Sequence, residues 1–389
     1  MRCRVAAALG LLLAACMPPY RATAVRPEGR TCPSPVAAWL SWHFPATASD
    51  QRDLDAWCRA VGPAVVDSVP RARFGPVPEG DSLAVVVFNA DAGAADVLAL
   101  LRDELHFDCA DSAAVRGSGS PPFVLLLQEA LRRSADIPDV PKGWATPPPV
   151  RERRRPGPRL DVVEVARRCG LAFVYVPGAR NGYAPRDGLR EDKGVAILAS
   201  VPLSDFVAIE LPYEAARRVV VGATVHGARG DSLRIASVYL ITTPPPWRVL
   251  RTGNSSRVRQ ALALVDALGR LELARAGRSS EEAACPAPCR PAVSEGHAIA
   301  TLAAGDFNFW STKEAAFSRL LEYFPDSPPR LTVPTRGPYP TDHVFFRRAG
   351  AGGTAPNASI PTSYRPLSNR YYSDHYPVIA WVRLAAGDR

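Results

Sequence analysis

The feature that most constrains this chain is a repeated local pattern. A run of apolar residues of strand length meets an acid, an amide or a tyrosine at one end. Residues 84–89 (AVVVFN) end on Asn89, with Asp91 just beyond, and residues 123–128 (FVLLLQ) run into Glu129. The run 234–239 closes on Tyr239, and TLAAG leads into Asp306 and Asn308. Asp342 opens DHVFF, and Asp374 and His375 precede YPVIAWV. One polar residue at one strand end is ordinary, and Asp and Asn also favour turns. Six such ends in one chain are a different matter, because strand ends converge in space and carry sites in α/β proteins.

The rest of the pattern sets the fold class. Helices are expected over 50–61, with Ser49 as N-cap, over 94–105, where Val97, Leu98, Leu101 and Leu105 share a face, and over 160–169, 255–276 and 313–323. Further strands are expected over 172–176, 194–199, 219–225, 301–304, 344–347 and 378–382. Continuous apolar strands require cover on both faces. The mixture therefore reads as an α/β sandwich of two sheets with helices outside. Of 389 residues 47% are hydrophobic, which excludes a wholly disordered or collagen-like chain. The formal charge of +9 permits a polyanionic partner without identifying one.

The polar strand ends point to metal-assisted phosphoester hydrolysis. A hard divalent cation takes carboxylate oxygens, waters and phosphate. Phosphorus–oxygen cleavage also needs an oriented water, a nearby base and groups that hold developing charge. Neither a G-x-S-x-G elbow nor a phosphate-cradling P-loop occurs in the chain.

Taken in order, FNADAG, LLLQEA, KGVAILAS-x-PL, SVYL, GDFN, TDHVFF and YSDHYPV resemble the endonuclease/exonuclease/phosphatase superfamily over about residues 83–384. The resemblance implies a four-layer α/β sandwich of two mixed, mostly antiparallel sheets flanked by helices, with the active site at one end of the sheets. It implies Mg2+ or Mn2+ as cofactor. Glu129 is then the principal metal ligand, Asn89 and Asp374 lie beside the ion, and Asp91 is in its outer shell. Asp306 orients or deprotonates water, and Asn308 fixes that geometry and contacts phosphate. His375 contacts phosphate and is held by Asp342. Tyr239 stands where many members have histidine, and a phosphate contact is expected of it. Arg257 and Gln260 match a recurrent R-x-x-Q with a structural role. His343, next to Asp342, is expected to point to the other face as a structural residue. Lys193 is read either as a phosphate contact or as a solvated loop lysine.

The N-terminus reads as an address. Arg2 and Arg4 precede a short apolar stretch, and Leu13-Ala14-Ala15-Cys16 resembles a bacterial lipobox. The expected organisation is a signal peptide over 1–15, an acylated Cys16 with a tether over 16–34, an N-terminal helical extension over 35–80 and the hydrolase domain over 81–385. The chain is then an exported lipoprotein of the outer membrane or periplasm, anchored by lipid. Six further cysteines suit disulfides in such a compartment. Sequence order favours Cys32–Cys58, Cys109–Cys169 and Cys285–Cys289 over the other pairings. The expected substrate is a phosphodiester, in nucleic acid or in a phospholipid headgroup, and the chain is expected to act as a monomer. A nuclease-like hydrolase is read first; a sphingomyelinase-like phosphodiesterase, a phosphomonoesterase and an inactive surface-binding lipoprotein remain as alternatives. The basic run 151–155 reads as a solvated loop or as a contact to nucleic acid or anionic lipid.

Overall fold

The computed structural model describes residues 22–23, 40–45, 48–67, 75–109, 119–139, 158–181, 189–214, 216–242, 255–275, 299–348 and 364–384. Cys16, Cys32, Cys285, Cys289, the segment 1–15 and the run 151–155 lie outside the described residues. In chain order the elements are β1 (Ala22–Thr23), β2 (Leu40–Pro45), α1 (Ala48–Cys58), β3 (Val65–Asp67), β4 (Ser82–Asn89), α2 (Val97–Leu105), β5 (Phe123–Ser134), α3 (Val162–Arg168), β6 (Ala172–Arg180), β7 (Arg190–Ala199), β8 (Leu203–Glu210), β9 (Val219–His226), β10 (Ser232–Tyr239), α4 (Ser256–Arg275), β11 (Ala300–Asp306), α5 (Ala315–Tyr323), β12 (Asp342–Arg347), β13 (Tyr364–Pro366) and β14 (Val378–Arg383).

Alternation along the apolar strands builds the layers. In β4, Val85 and Val87 enter a core shared with Val221, Ile235 and Leu302, between the two sheets. Val86 and Phe88 point the other way, into a core with Leu100 and Leu101 of α2 and Val162 and Val165 of α3. The opposite sheet buries Val220 and Val238 beneath Leu264 and Leu268 of α4 and Phe317 and Leu320 of α5. Each fully buried Val, Leu or Phe contributes about 1.5–3 kcal/mol relative to exposure. The result is four layers, helix–sheet–sheet–helix. One sheet runs β1-β2-β8-β9-β10-β11-β12 and the other β13-β14-β4-β5-β7-β6-β3. The pairs β2–β8, β10–β11 and β4–β5 are parallel and the other neighbours antiparallel.

Several elements differ from the sequence reading. The segment 35–80 was expected to be helical, yet beside α1 it supplies β2 to one sheet and β3 to the edge of the other. β8 was not foreseen. Its pairing with β9 shifts between Ser204 and Val207, and the left-handed Asp205 (φ 49°) breaks the period-2 signal. Helix α2 starts at Val97 because Asp96 caps it, Oδ1 accepting from Ala99 N at 3.1 Å. Lys193 stands on β7, not in a loop. The Cys109–Cys169 disulfide is present, with 4.4 Å between Cα atoms, and joins the segment after α2 to the end of α3. Cys58 is also disulfide-bonded.

Two glycines allow backbones to touch. A Cβ on Gly305 would lie 1.9 Å from Val238 O, and one on Gly194 2.0 Å from Val176 O. Gly305 thus permits the close β10–β11 approach that sets Asp306 opposite Tyr239.

His343 is fully buried among Phe307, Phe309, Phe317 and Phe345, and its Nδ1 meets Tyr364 Oη at 3.2 Å. Burial lowers its pKa to about 4 against an ordinary 6.5. A histidine depressed on folding contributes its stability above pH 6.5 and loses it as pH falls towards 4, here up to about 3 kcal/mol. Buried His43, also lowered to about 4, acts in the same direction. Urea unfolding at pH 7 and pH 4.5 is expected to show a smaller acid loss in His343→Gln than in the parent; an equal loss would contradict this account.

Candidate active site

The two sheets bring the polar strand ends to one place. Asn89 ends β4 and, across the sandwich, its Nδ2 donates to Asp306 Oδ2 at the end of β11 (3.0 Å). Its Oδ1 accepts from Asp91 N at 3.0 Å. Gln128, the register partner of Asn89, donates through Nε2 to Ser237 Oγ of β10 at 3.0 Å, a second bond between the sheets. Tyr239 is the register partner of Asp306, which in turn pairs with Asp342 on β12.

Three site residues adopt left-handed backbone: Asp91 (φ 46°), Glu129 (φ 48°) and Asn308 (φ 54°). Such conformations cost about 1–3 kcal/mol and persist where the surroundings enforce them. Glu129 sits in the irregularity of β5 between Leu127 and Ala130, which turns its side chain out of the ladder. Asn308 is held on all sides. Its N–H donates to Asp306 Oδ1 (2.9 Å), its Nδ2 to Leu240 O (2.9 Å), and its carbonyl accepts from Arg257 Nη1 (2.7 Å). Gln260 accepts from Ile241 N (2.9 Å) and donates to Pro212 O (3.0 Å), so both members of R-x-x-Q brace loops beside the site.

Asp306, Asp342 and His375 are buried and bring carboxylate oxygens and imidazole nitrogens within 4.8 Å of one another. His375 Nδ1 meets Asp342 Oδ2 at 2.8 Å, and Nε2 lies 3.7 Å from Asp306 Oδ2 and 3.8 Å from Asp374 Oδ1. Nε2 has no hydrogen-bond partner among the described residues. Burial works against the imidazolium, but Asp342 and Asp306 outweigh it and raise the pKa to about 9. Burial likewise raises Asp306, and despite the pull of His375 its pKa stands at about 6. For Asp342 the burial penalty is overcome by His375, and the carboxyl is held below its usual range.

Glu129 forms a separate ion pair. Its Oε2 accepts from Lys193 Nζ at 2.7 Å and its Oε1 from Tyr239 Oη at 2.5 Å. Burial alone would raise its pKa; Lys193 outweighs that and lowers it to about 2. Asp374 accepts from Arg336 Nε at 3.0 Å. Asp91 joins the site through its main chain, and its carboxylate, like those of Glu129 and Asp374, lies outside the Asp306–Asp342–His375 group.

Sequence reasoning missed two cations. The Arg218 guanidinium lies 4.2 Å from the Tyr239 ring centroid, and Arg336 is on a turn whose register partner is His375. Arg218 precedes β9, antiparallel to β10, so it starts where Tyr239 ends. An arginine at the head of an apolar run was the available signal. Phe309, next to Asn308, is fully buried, whereas Trp310 stacks on Tyr339.

No protein-family profile and no curated protein matches the chain. Solved structures do. An endonuclease/exonuclease/phosphatase from Beutenbergia cavernae DSM 12333 is 16% identical, covering 79% of this chain and 72% of that one, with a TM-score of 0.43. Sphingomyelinase C from Streptomyces griseocarneus is 16% identical over 77% of this chain and 99% of that one, TM-score 0.37. D. rerio TDP2 complexed with single-strand DNA product is 16% identical over 77% and 98%, TM-score 0.39.

Proposed function

We propose that this chain is a divalent-metal-dependent phosphodiesterase of nuclease type. One observation carries the reading: a buried Asp306 carboxylate, fixed by Asn89 and Asn308, faces a His375 imidazole that Asp342 holds from behind. A carboxyl with a pKa of about 6 is ionised at neutral pH yet basic enough to take a proton from water. Asp306 is therefore the base and His375, as imidazolium, the donor to a phosphoryl oxygen. Asn308 keeps the Asp306 oxygens aimed, and Tyr239 orients Glu129 rather than reaching for phosphate. Arg218 and Arg336 add positive charge where an anion would enter.

The residues fit a hard cation. Glu129 is held ionised, Asp374 and Asn89 add oxygen donors, and this all-oxygen set suits Mg2+ or Mn2+. When bound, such an ion stabilises charge developing on phosphoryl and leaving oxygens. Glu129, Asp374 and Asn89 would hold it, with Asp91 behind Asn89.

Lys193 neutralises Glu129 and so opposes a cation there. Lys193→Met is expected to tighten Mn2+ binding about tenfold, by loss of charge repulsion close to the ion. It should also lower the unfolding midpoint of the metal-stripped protein. Titration calorimetry and thermal melts on EDTA-treated protein measure both; unchanged affinity would refute the counter-ion role.

The function test supplies the purified chain with Mg2+ or Mn2+ and four substrates: plasmid DNA, bis-(p-nitrophenyl) phosphate, sphingomyelin vesicles and a phosphomonoester. Plasmid and diester turnover that EDTA abolishes is expected. Turnover of the monoester alone, of sphingomyelin alone, or of nothing would overturn the reading. We also propose that the protein is exported and anchored through acylated Cys16. Cys16→Ala should release it from membranes, and continued acylation would refute the anchor.

A further inference from the structure

The turn that carries Arg336 also carries Tyr339. Arg336 N–H donates to Tyr339 O at 3.0 Å and Tyr339 N–H returns a bond to Arg336 O at 2.9 Å. Gly337 supplies the left-handed residue (φ +53°) that closes the turn. Thr335 N donates to Tyr339 O and Thr335 O accepts from Tyr376 N, so the turn is tied to the strand end bearing His375.

From this base two side chains diverge. Arg336 directs Nε to Asp374, and its charge also interacts with Asp306, Tyr239 and Glu129 at the centre of the site. Tyr339 stacks on Trp310, with ring centroids 5.4 Å apart and planes 27° apart. Trp310 follows Asn308 by two residues, and its N–H donates to Glu314 Oε1 at 2.7 Å. The pair is thus anchored on the site's own loops. It does not belong to the interior: Tyr339 is 38% exposed, and Tyr372, two residues before Asp374, is 50% exposed. The neighbouring aromatics Phe307, Phe309, Phe317 and Phe345 are all buried. A pre-stacked pair beside a phosphoester centre, with Tyr339 exposed and Trp310 partly buried, offers a planar face to a planar ligand.

The cation on the same turn decides which ligand. A quaternary ammonium headgroup seeks an aromatic face, but here it would meet a guanidinium fixed by that turn. An anion followed by a flat ring suits both groups. We propose that the Arg336–Tyr339 turn and Trp310 form a nucleotide subsite. In it Arg336 pairs with a phosphate next to the one cleaved, and the Tyr339–Trp310 stack takes an unpaired base. The substrate class is nucleic acid with single-stranded character. This rests on the phosphodiesterase reading above.

The test compares a single-stranded oligonucleotide with its abasic counterpart, which keeps backbone and charge but removes the bases. Binding to Asp306→Asn protein is followed by fluorescence anisotropy in the presence of Mg2+. The base-bearing strand is expected to bind about tenfold more tightly. Adding Tyr339→Ala should bring the two affinities within about twofold, and Tyr339→Phe should retain the preference. Arg336→Gln should weaken both strands equally and reduce the salt slope by about 1. Equal binding of the two strands, or a preference indifferent to Tyr339→Ala, would overturn the subsite. So would a Tyr339→Ala loss confined to lipid-vesicle turnover in a protein with intact Asp306. If parent protein still hydrolyses bis-(p-nitrophenyl) phosphate in those cases, the subsite alone fails; if no diester is turned over, the underlying reading fails with it.

Discussion

Asp306→Asn is expected to reduce phosphodiester turnover by about 10²–10⁴-fold while the protein remains folded. The change keeps the side-chain volume and removes the base. It also removes an unfavourable charge. The Asp306 pKa is raised from 3.8 to about 6 because its carboxylate is buried. A carboxyl raised on folding contributes stability below its unfolded pKa and loses it as pH climbs through the folded value. At neutral pH the ionised group therefore works against the fold, and a neutral amide relieves that. One cost opposes the gain, since the amide cannot accept from both Asn89 Nδ2 and Asn308 N–H as the carboxylate does. The kinetic loss should appear in kcat and kcat/KM together, the mark of an interaction made in the transition state. Single-turnover hydrolysis and a thermal melt measured side by side separate the two effects. Near-parental turnover in a folded variant would remove Asp306 from the chemistry.

Much of this architecture could be read from residue order because its strands are apolar on both faces. Runs such as AVVVFN and FVLLLQ have no other stable place than a covered sheet. What escaped were strands whose pattern is interrupted. β8 is bent at Asp205, and β7 extends back through Glu191, Asp192 and Lys193, a polar stretch that looks like loop. Buried partners make that extension possible: Asn181 Nδ2 donates to Glu191 Oε2 (2.7 Å), and Tyr175 Oη and Gly62 N donate to Asp192 (2.5 and 2.9 Å). The polar strand ends were legible one by one, but the bond by which the sandwich joins Asn89 to Asp306 was not. The partners of Glu129 were not legible. Its pairing with Lys193 needs the backbone irregularity at Glu129 and the β5–β7 register, in which Lys193 lies opposite Leu131, and neither leaves a local trace. Arg336 was hidden for the same reason, since it reaches Asp374 only through a turn docked on a distant segment.

Arg257→Ala is expected to cost about 3–5 kcal/mol of stability, the largest structural effect among single substitutions near the site. Arg257 is fully buried, and its guanidinium does two things at once. Nε donates to Glu314 Oε2 at 2.9 Å, with Nη2 in ion-pair contact with the same oxygen at 2.7 Å, and Nη1 donates to the carbonyl of Asn308 at 2.7 Å. Truncation leaves a nearly buried Glu314 carboxylate without its cation, which is the costly way to break such a pair. It also withdraws the support under a left-handed Asn308, so turnover should fall about tenfold or more even where the protein is folded. Arg257→Lys offers one compact charge where a planar fork spans two acceptors; it should recover part of the stability and little of the turnover. Adding Glu314→Gln to Arg257→Ala removes the stranded charge, so the double variant should be less destabilised than the two single losses added together. Denaturant titrations of the four proteins close that cycle. If Arg257→Ala unfolds at the parental midpoint, the brace under Asn308 is not what holds the Asp306 oxygens in place, and the left-handed turn must be enforced from the Leu240 side alone.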